Sequence, residues 1–333
     1  MRYVTFALRD SPSKPRLGAM LDELVIDLHA ARTWAQGAKS LPVEPIPPTM
    51  LELVYLGTEA HEYLRDLVGS LVGMNPLEAN GAGRERVAFS SVDVELYPPL
   101  PRPTSLRDFY AFEEHVKAGN AIRGRDVPQQ WYEIPVFYYS NQSAVYGPEE
   151  MIPKPSYSEA LDYELEVACV IGTRGRDISV EQAEDYIFGY TIFNDWSARD
   201  EQRKEMAVGL GPAKGKDFAS SFGPAIVTAD ELADAATDRP GVFDLSMSAR
   251  VNGEERSRGN WKDIHYSFGE MIARASADVD LMPGDVIGSG TVGTGSLLEL
   301  TGGEGPWLKH GDSVELEIER LGVLRNQIGT RAN

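Results

Sequence analysis

A strand-like run that carries two glutamates constrains the fold of this chain most. The segment from Leu165 to Ile171 is apolar and rich in β-branched side chains, as in a buried strand, yet Glu164 and Glu166 lie two residues apart at its start. Residues i and i+2 of a strand point to the same face. Two carboxylates held together at the mouth of an apolar sheet raise each other's pKa unless a cation lies between them. The segment therefore indicates a sheet with a cation site at one strand end.

A second run predicts a third carboxylate in the same setting. Residues 190–193 are aromatic and β-branched, and they lead into Asn194 and Asp195. Three carboxylates at strand ends would form an oxygen cage, and hard oxygen ligands suit Mg²⁺, Ca²⁺ or Mn²⁺. The alternative is a set of unrelated surface acids, because alternating polar residues are common on half-exposed strands.

The composition excludes several classes of function. The 333 residues, 42% of them hydrophobic, can bury a substantial core in one large domain or two. The net charge of −19 argues against a nucleic-acid partner, which needs clustered Lys and Arg. The five histidines lack zinc-site spacing, and the single cysteine, Cys169, lies in the apolar run, where we expect an inert core thiol. No apolar run approaches the roughly 18 to 20 residues of a membrane span, so we expect a cytoplasmic protein without membrane contact.

The first part of the chain, residues 1–98, is predicted to be a small β domain with helices. It contains a strand over 3–8, a turn over 11–15, a hairpin turn at Asp22 and Glu23, and a helix over 51–72. A proline-rich stretch follows, and it predicts an extended linker over residues 99–106. We therefore place a domain boundary there.

The remaining residues, 107–333, are predicted to form a second, β-rich domain. Its predicted helices are short, at 107–122 and 267–275. Asn252 and Gly253 predict a tight hairpin turn between strands over 244–250 and 254–257. Further strands are predicted at 136–139, 164–171, 189–193, 286–290 and 313–319. The predicted fold class is therefore α+β, with more strand than helix.

Several motifs, spaced along the second domain, resemble those of the fumarylacetoacetate hydrolase superfamily. They are DYELEV at 162–167, NDWSARD at 194–200, GPAKGK at 211–216, MPGDVIGSGT at 282–291 and GSLLEL at 295–300. The resemblance implies a catalytic domain folded as a mixed β-roll with peripheral helices, usually in a homodimer. The N-terminal unit is similar in placement to the SH3-like domain of fumarylacetoacetase-type members.

The spacing of Asp108, Tyr110 and His115 makes the chain more similar to fumarylacetoacetase-type members than to the short hydratases and acylpyruvases. In the former, a metal-binding aspartate precedes a catalytic histidine by seven residues, whereas the latter carry their histidine on a mobile lid. The resemblance implies a divalent metal, Mg²⁺ or Ca²⁺, with Mn²⁺ also compatible. The implied ligands are Asp108, Glu164, Glu166 and Asp195.

The resemblance also implies the residues that carry the reaction. The implied catalytic set is His115 as base, Glu299 as its partner, and Lys216, Arg199 and Gln202 as groups that hold the oxyanion and the leaving carbanion. The implied substrate contacts are Tyr110, Tyr138, Arg123 and Thr291, with Tyr139 and Arg125 left open as alternatives to Tyr138 and Arg123. A helix after Trp196 would place Arg199 and Gln202 on nearly one face. Glu299 alternates with leucines, which is also typical of an exposed strand, and His115 also fits a surface helix.

Together these residues predict a metal-dependent hydrolase of small molecules. Cleaving a C–C bond between two carbonyls needs an activated water, an electrophile that holds the diketone and a stabiliser for the carbanion. The resemblance implies a fumarylacetoacetate-like β-diketone dicarboxylate as substrate, in aromatic-compound or tyrosine catabolism. The alternative within the superfamily is a hydratase, isomerase or decarboxylase of a 2-oxo acid. A non-catalytic protein with a structural Ca²⁺ site is a third hypothesis.

Overall fold

Antiparallel strand pairs form most of the architecture in the computed structural model, which describes residues 1–38 and 45–330. The strands in these residues are β1 (Arg2–Leu8), β2 (Ser11–Leu21), β3 (Leu24–Asp27), β4 (Ala88–Ser90), β5 (Val94–Leu96), β6 (Ser105–Phe109), β7 (Phe137–Tyr139), β8 (Val145–Tyr146), β9 (Met151–Pro153), β10 (Leu161–Asp162), β11 (Leu165–Ile171), β12 (Ile187–Asp195), β13 (Ser197–Ala198), β14 (Ser220–Val227), β15 (Ser246–Val251), β16 (Glu254–Asn260), β17 (Asp285–Gly288), β18 (Ser313–Ile318) and β19 (Gly322–Gly329). The helices are α1 (Leu28–Ala38), α2 (Met50–Gly69), α3 (Glu113–Ile122), α4 (Arg199–Val208), α5 (Phe268–Ser276) and α6 (Leu297–Leu300). The prediction of a β-rich α+β fold is confirmed.

Two large sheets organise these strands. The first runs in the order β4-β3-β2-β1-β14-β12-β11-β17-β6-β7, with β5 beside β1 and β8 beside β14. The second runs in the order β16-β15-β18-β19-β9, and β10 with β13 forms a separate short ladder. Parallel pairs occur in both large sheets, β17 with β6 in the first and β19 with β9 in the second. Both sheets are therefore mixed, as the resemblance implied.

Strand β11 lies at the centre of the part that positions the site. All its residues are buried, in agreement with the continuous apolar run in the sequence. It pairs with β12 on one side and with β17 on the other, and β6 lies beyond β17. Cys169 is buried within β11, and burial raises the pKa of its thiol, so the sulfur stays protonated and packs as a core atom.

The N-terminal strands join the sheet of the larger unit directly. Tyr3 of β1 pairs with Ile226 of β14, and Tyr3 shares one buried apolar cluster with Val170 of β11. The proline-rich stretch leads straight into β6, which begins at Ser105. The division into residues 1–98, a linker over 99–106 and residues 107–333 stays a prediction.

Two local predictions are wrong. The segment 11–15 is not a turn, because it forms the exposed start of β2, and the chain reverses at Arg9 and Asp10. Pro12 and Pro15 fit there because β3 pairs with β2 only from Gly18 onward, so one edge of the segment needs no ladder hydrogen bonds. The predicted helix over 107–122 begins only at Glu113, since residues 107–109 belong to β6, which pairs with β17 on one side and with β7 on the other.

Other local predictions are confirmed by backbone geometry. The β15–β16 hairpin turns at Asn252 and Gly253, with φ of 53° and 79°, the left-handed pair that a two-residue turn requires. Helix α5 starts with a capping box in which Ser267 and Glu270 satisfy each other's backbone N–H. Among the described residues, no helix has the length and apolar character needed to span a membrane.

Candidate active site

Four buried carboxylates meet where three strands end. Their nearest oxygens all lie within 4.8 Å of one another, and all four side chains are buried. Asp108 lies near the end of β6, Glu164 directly before β11, Glu166 within β11, and Asp195 at the last position of β12. The structure thus brings together all four residues that the resemblance implied as metal ligands.

The register of the sheet explains how residues far apart in sequence converge. Leu165 pairs with Asn194 across β11 and β12, so Glu164 and Asp195 lie side by side just beyond that pair. Asp108 arrives through β6, where it pairs with Gly288 of β17. A Cβ atom on Gly288 would lie 2.5 Å from Asp108 Oδ1, so the close approach of that carboxylate requires a glycine at this position.

The electrostatics of the cluster are those of crowded acids in a low-dielectric site. Burial and the charge of Asp195 raise the pKa of Asp108 from 3.8 to about 8. Burial, together with the charges of Asp108 and Glu164, raises the pKa of Glu166 well above its usual range. Burial would also raise the pKa of Glu164, but the charges of Lys216 and other nearby cations outweigh it and lower that pKa.

Two buried cations neutralise part of this charge. Lys216 contacts Glu164 and lies 2.6 Å from Asp195 Oδ2, and Arg199 Nη1 lies 2.9 Å from Glu164 Oε1. Glu166 Oε2 and Asp195 Oδ1 remain buried without a hydrogen-bond partner among the described residues. Unpartnered buried carboxylate oxygens are costly, and oxygen donors in this number suit a divalent cation. The residues present therefore fit a metal such as Mg²⁺, Ca²⁺ or Mn²⁺.

A histidine and a glutamate form a pair beside the cluster. His115 lies on α3 and is buried, and its Nδ1 contacts Oε1 of Glu299. Because a carboxylate accepts at Nδ1, the proton of the neutral ring resides there and Nε2 keeps its lone pair. Nε2 faces the cluster, 3.9 Å from Glu164 Oε1, too far for a hydrogen bond. The arrangement is that of a base held in one tautomer.

Glu299 does not lie on an exposed strand, the reading that its alternation with leucines also allowed. It lies on the short helix α6, and its side chain is only 6% exposed. Its second oxygen, Oε2, accepts a hydrogen bond from the backbone N–H of Thr294 at 2.9 Å. Both oxygens are therefore engaged, which holds the carboxylate against the imidazole.

A pocket of about 320 Å³ opens over the cluster and the histidine. Every predicted site residue lines it except Asp195 and Glu299, which lie behind its wall. Arg123 lines the pocket and Arg125 does not. No sequence motif pointed to the apolar part of the wall, because its residues come from unrelated places, namely the start of β7, the end of α4 and the loop after it. That part includes Val136, Phe137, Met206 and Leu210.

Two predicted substrate contacts touch the cluster itself. The hydroxyl of Tyr138 lies 2.8 Å from Asp108 Oδ2 and also contacts Asp195, whereas the neighbouring Tyr139 is 66% exposed and lies outside the pocket. Thr291 donates a hydrogen bond to Glu166 Oε1 at 3.2 Å. Both hydroxyls therefore orient carboxylates of the cluster, in addition to facing the pocket.

Arg199 and Gln202 lie together on α4, as a helix after Trp196 predicted. Arg199 Nη1 donates to Gln202 Oε1 at 3.1 Å, and Nη2 is buried without a partner among the described residues. Arg199 Nε donates to Asp162 at 2.8 Å. No role was predicted for Asp162, although it opens the DYELEV motif and lies three residues before β11 begins.

Comparison with known proteins shows a relationship along the whole chain. The family model described as "Fumarylacetoacetate (FAA) hydrolase C-terminal" matches residues 104–329. An oxaloacetate tautomerase of Bacillus subtilis, YisK, is 30% identical over 314 residues, covering 92% of this chain and 94% of the relative. The fumarylacetoacetase of Bos taurus is 28% identical over 352 residues, covering 90% and 83%. A solved fumarylacetoacetate hydrolase from Exiguobacterium antarcticum superposes with a TM-score of 0.71 at 26% identity, covering 99% of this chain and 100% of that one.

Proposed function

The chain belongs to the fumarylacetoacetate hydrolase family, and within it we propose a metal-dependent hydrolase that cleaves the C–C bond of a fumarylacetoacetate-like β-diketone acid. The observation that carries the proposal is the pair formed by His115 and Glu299, with Nε2 of the imidazole open toward a cluster of four carboxylates in one pocket. A purely structural metal site needs no such base.

A divalent metal held by Asp108, Glu164, Glu166 and Asp195 would supply Lewis-acid polarisation of the two substrate carbonyls. That chemistry is shared by the family, so the residues around the metal decide which reaction follows. Lys216 and Arg199, both buried beside the cluster, carry positive charge toward the same region of the pocket. Their charges would favour an oxyanion and an enolate over the neutral diketone.

His115 would act first as a base. Nε2 removes a proton from water, and the hydroxide adds to the carbonyl carbon next to the bond that breaks. The C–C bond then cleaves, its electron pair goes to the departing carbon, and the imidazolium returns the proton to that carbon. Glu299 holds Nδ1–H throughout and stabilises the imidazolium that forms in between.

The substrate would be oriented by groups that are free to bind it. Arg199 Nη2 is a buried donor without a partner among the described residues, and Arg199 and Gln202 both line the pocket. Arg123 lies at the exposed side of the same pocket, close to Tyr110, and forms no ion pair among the described residues. We assign the substrate carboxylate to Arg123 and the attacked carbonyl to Arg199.

The test is an assay with acetylpyruvate and with fumarylacetoacetate, following the loss of diketone absorbance together with two released acids. We expect one molecule of each acid for each diketone consumed. The matched variants are His115→Gln and Glu166→Gln, assayed together with their metal content. Loss of the chromophore without two acids would mean that the carbon skeleton is retained, and it would overturn the proposal.

A second candidate is tautomerisation of an oxaloacetate-like 2-oxo acid. It is favoured by the Bacillus subtilis relative, named an oxaloacetate tautomerase, which aligns with this chain over 94% of its length. The same site would serve, with Nε2 of His115 moving a proton between carbon and oxygen and no water consumed. Interconversion of enol and keto oxaloacetate, followed spectroscopically, with no cleavage of acetylpyruvate would select this candidate.

Four further assignments accompany the proposal. We propose a homodimer that acts in aromatic-compound or tyrosine catabolism, as the family resemblance implied, and we propose the cytoplasm as its compartment, as expected from the sequence. The molar mass in solution, measured by light scattering, tests the first, since the chain mass is 36.6 kDa. The identity of the metal among Mg²⁺, Ca²⁺ and Mn²⁺ is tested by restoring activity to chelated protein with each ion in turn.

A further inference from the structure

Asp162 connects the two halves of the site. It is fully buried on β10, whose partner β13 leads directly into α4. Its Oδ2 accepts hydrogen bonds from Arg199 Nε at 2.8 Å and from the backbone N–H of Leu298 at 3.0 Å. Its Oδ1 accepts from the backbone N–H of Leu297 at 2.8 Å and of Tyr163 at 2.9 Å. One carboxylate thus holds the arginine of the pocket and the start of the helix that carries Glu299.

The helix that Asp162 holds cannot set its own position. Helix α6 has only four residues, and so short a helix has no stability of its own. Its first N–H groups have no partners within the helix. Asp162 accepts two of them, and the negative charge suits the positive end of the helix. The place of Glu299, two residues after Leu297, follows from that anchor.

We propose that Asp162 is a positioning residue for the reaction. It holds Glu299 in place relative to Arg199, and Glu299 in turn fixes the tautomer of His115. The inference rests on the proposed role of His115 as base. A buried carboxylate that merely neutralised Arg199 would not need to bind α6. The two roles therefore differ in what the loss of the carboxylate does to His115.

The chain offers a matched control in Asp285. It is also buried, it lies 3.5 Å from the buried Arg107, and it accepts a backbone N–H from Met282 at 2.9 Å. It does not line the pocket. Asp162→Asn and Asp285→Asn each remove one buried charge that pairs with an arginine, so both should lower the melting temperature. Only Asp162→Asn should affect the reaction.

The kinetic test uses acetylpyruvate as probe, with metal content measured on each variant. We expect Asp162→Asn to lower kcat about 10- to 100-fold, as loss of a group that orients a reacting residue commonly does, with a smaller change in KM and full metal content. In a Glu299→Gln background, Asp162→Asn should lower kcat by a much smaller factor than it does in the wild type, because both changes act through the orientation of His115. A loss no larger than that of Asp285→Asn would overturn the proposal.

A second test needs no turnover and separates this inference from the proposed function. In protein labelled with ¹⁵N-histidine, NMR should show His115 as the Nδ1–H tautomer in the wild type and in Asp285→Asn, and a mixture of tautomers in Asp162→Asn. An unchanged tautomer in Asp162→Asn overturns the inference, even if the wild type hydrolyses no probe. If Asp162→Asn does not fold, Asp162→Glu, which displaces the carboxylate by one methylene, is judged by the same two criteria.

Discussion

Removal of the metal should make the stability of this fold fall as the pH rises. The rise in the pKa of Asp108, from 3.8 to about 8, spans roughly four pH units, and each unit corresponds to about 1.4 kcal/mol. Ionised Asp108 therefore costs the metal-free fold on the order of 5 kcal/mol. Because the folded protein binds this proton more tightly than the unfolded chain, the stabilising contribution is complete below about pH 4 and is lost as the pH rises through about 8.

A bound divalent cation should largely remove this pH dependence, because it replaces the proton as the partner of the carboxylates. The assay is thermal unfolding followed by circular dichroism, at about pH 5.5 and about pH 8.5, with chelator and with saturating Mg²⁺ or Ca²⁺. Between about pH 5.5 and about pH 8 the loss amounts to roughly 3 kcal/mol, which for a chain of this size corresponds to a fall in melting temperature of about 5 °C in the chelated sample. The metal-loaded sample should show little of this fall.

The matched variant is Asp108→Asn, which keeps an oxygen that can accept the backbone N–H of Gly290, now 3.2 Å from Asp108 Oδ1. It removes the titrating group, so the chelated variant should lose less stability with pH than the chelated wild type. The reasoning is refuted if chelated wild type melts at the same temperature at both pH values. It is equally refuted if Asp108→Asn shows the same decline as the wild type.

Other predictions concern individual groups of the site. His115→Gln should lower kcat about 10²- to 10⁴-fold with full metal content, whereas Glu166→Gln should lose both activity and metal; equal metal loss in the two would contradict the roles. Tyr138→Phe should weaken metal binding about tenfold, measured by titration, while Tyr139→Phe should leave it unchanged. Lys216→Met should lower the melting temperature more in chelated than in metal-loaded protein, since the cation and the metal neutralise the same carboxylates.

The alternation of side chains along a strand was enough to predict two of the four clustered carboxylates. Glu164 and Glu166 face the same way because residues two apart in extended backbone do so, and this holds whatever the sheet around them. The apolar run after them predicted a buried strand, and the strand is buried at every position. Turn chemistry was equally local, as the Asn252–Gly253 hairpin shows.

Distant contacts override local preference in two segments. Residues 107–109 were predicted as the start of a helix, yet they are extended because β17 pairs with residues 105–108 and β7 pairs with residues 107–109. Glu299 alternates with leucines, which is also typical of an exposed strand, yet the backbone forms the short helix α6, whose first N–H groups Asp162 and Ser296 cap. In both segments, at least one of the deciding contacts comes from a residue more than about a hundred positions away in the sequence.

The sequence by itself determined which side chains this protein has for chemistry and on which kind of backbone most of them lie, because steric preferences act over a few residues. Motif spacing also identified the family, and with it the expected roles. Only the tertiary structure decided that Asp108 joins the other carboxylates and that Asp162 binds both Arg199 and α6. It also decided that His115 meets Glu299, although 184 residues separate the two in the sequence. These contacts depend on the order of strands in the sheet, which local preference does not specify, because many orders bury the same apolar faces.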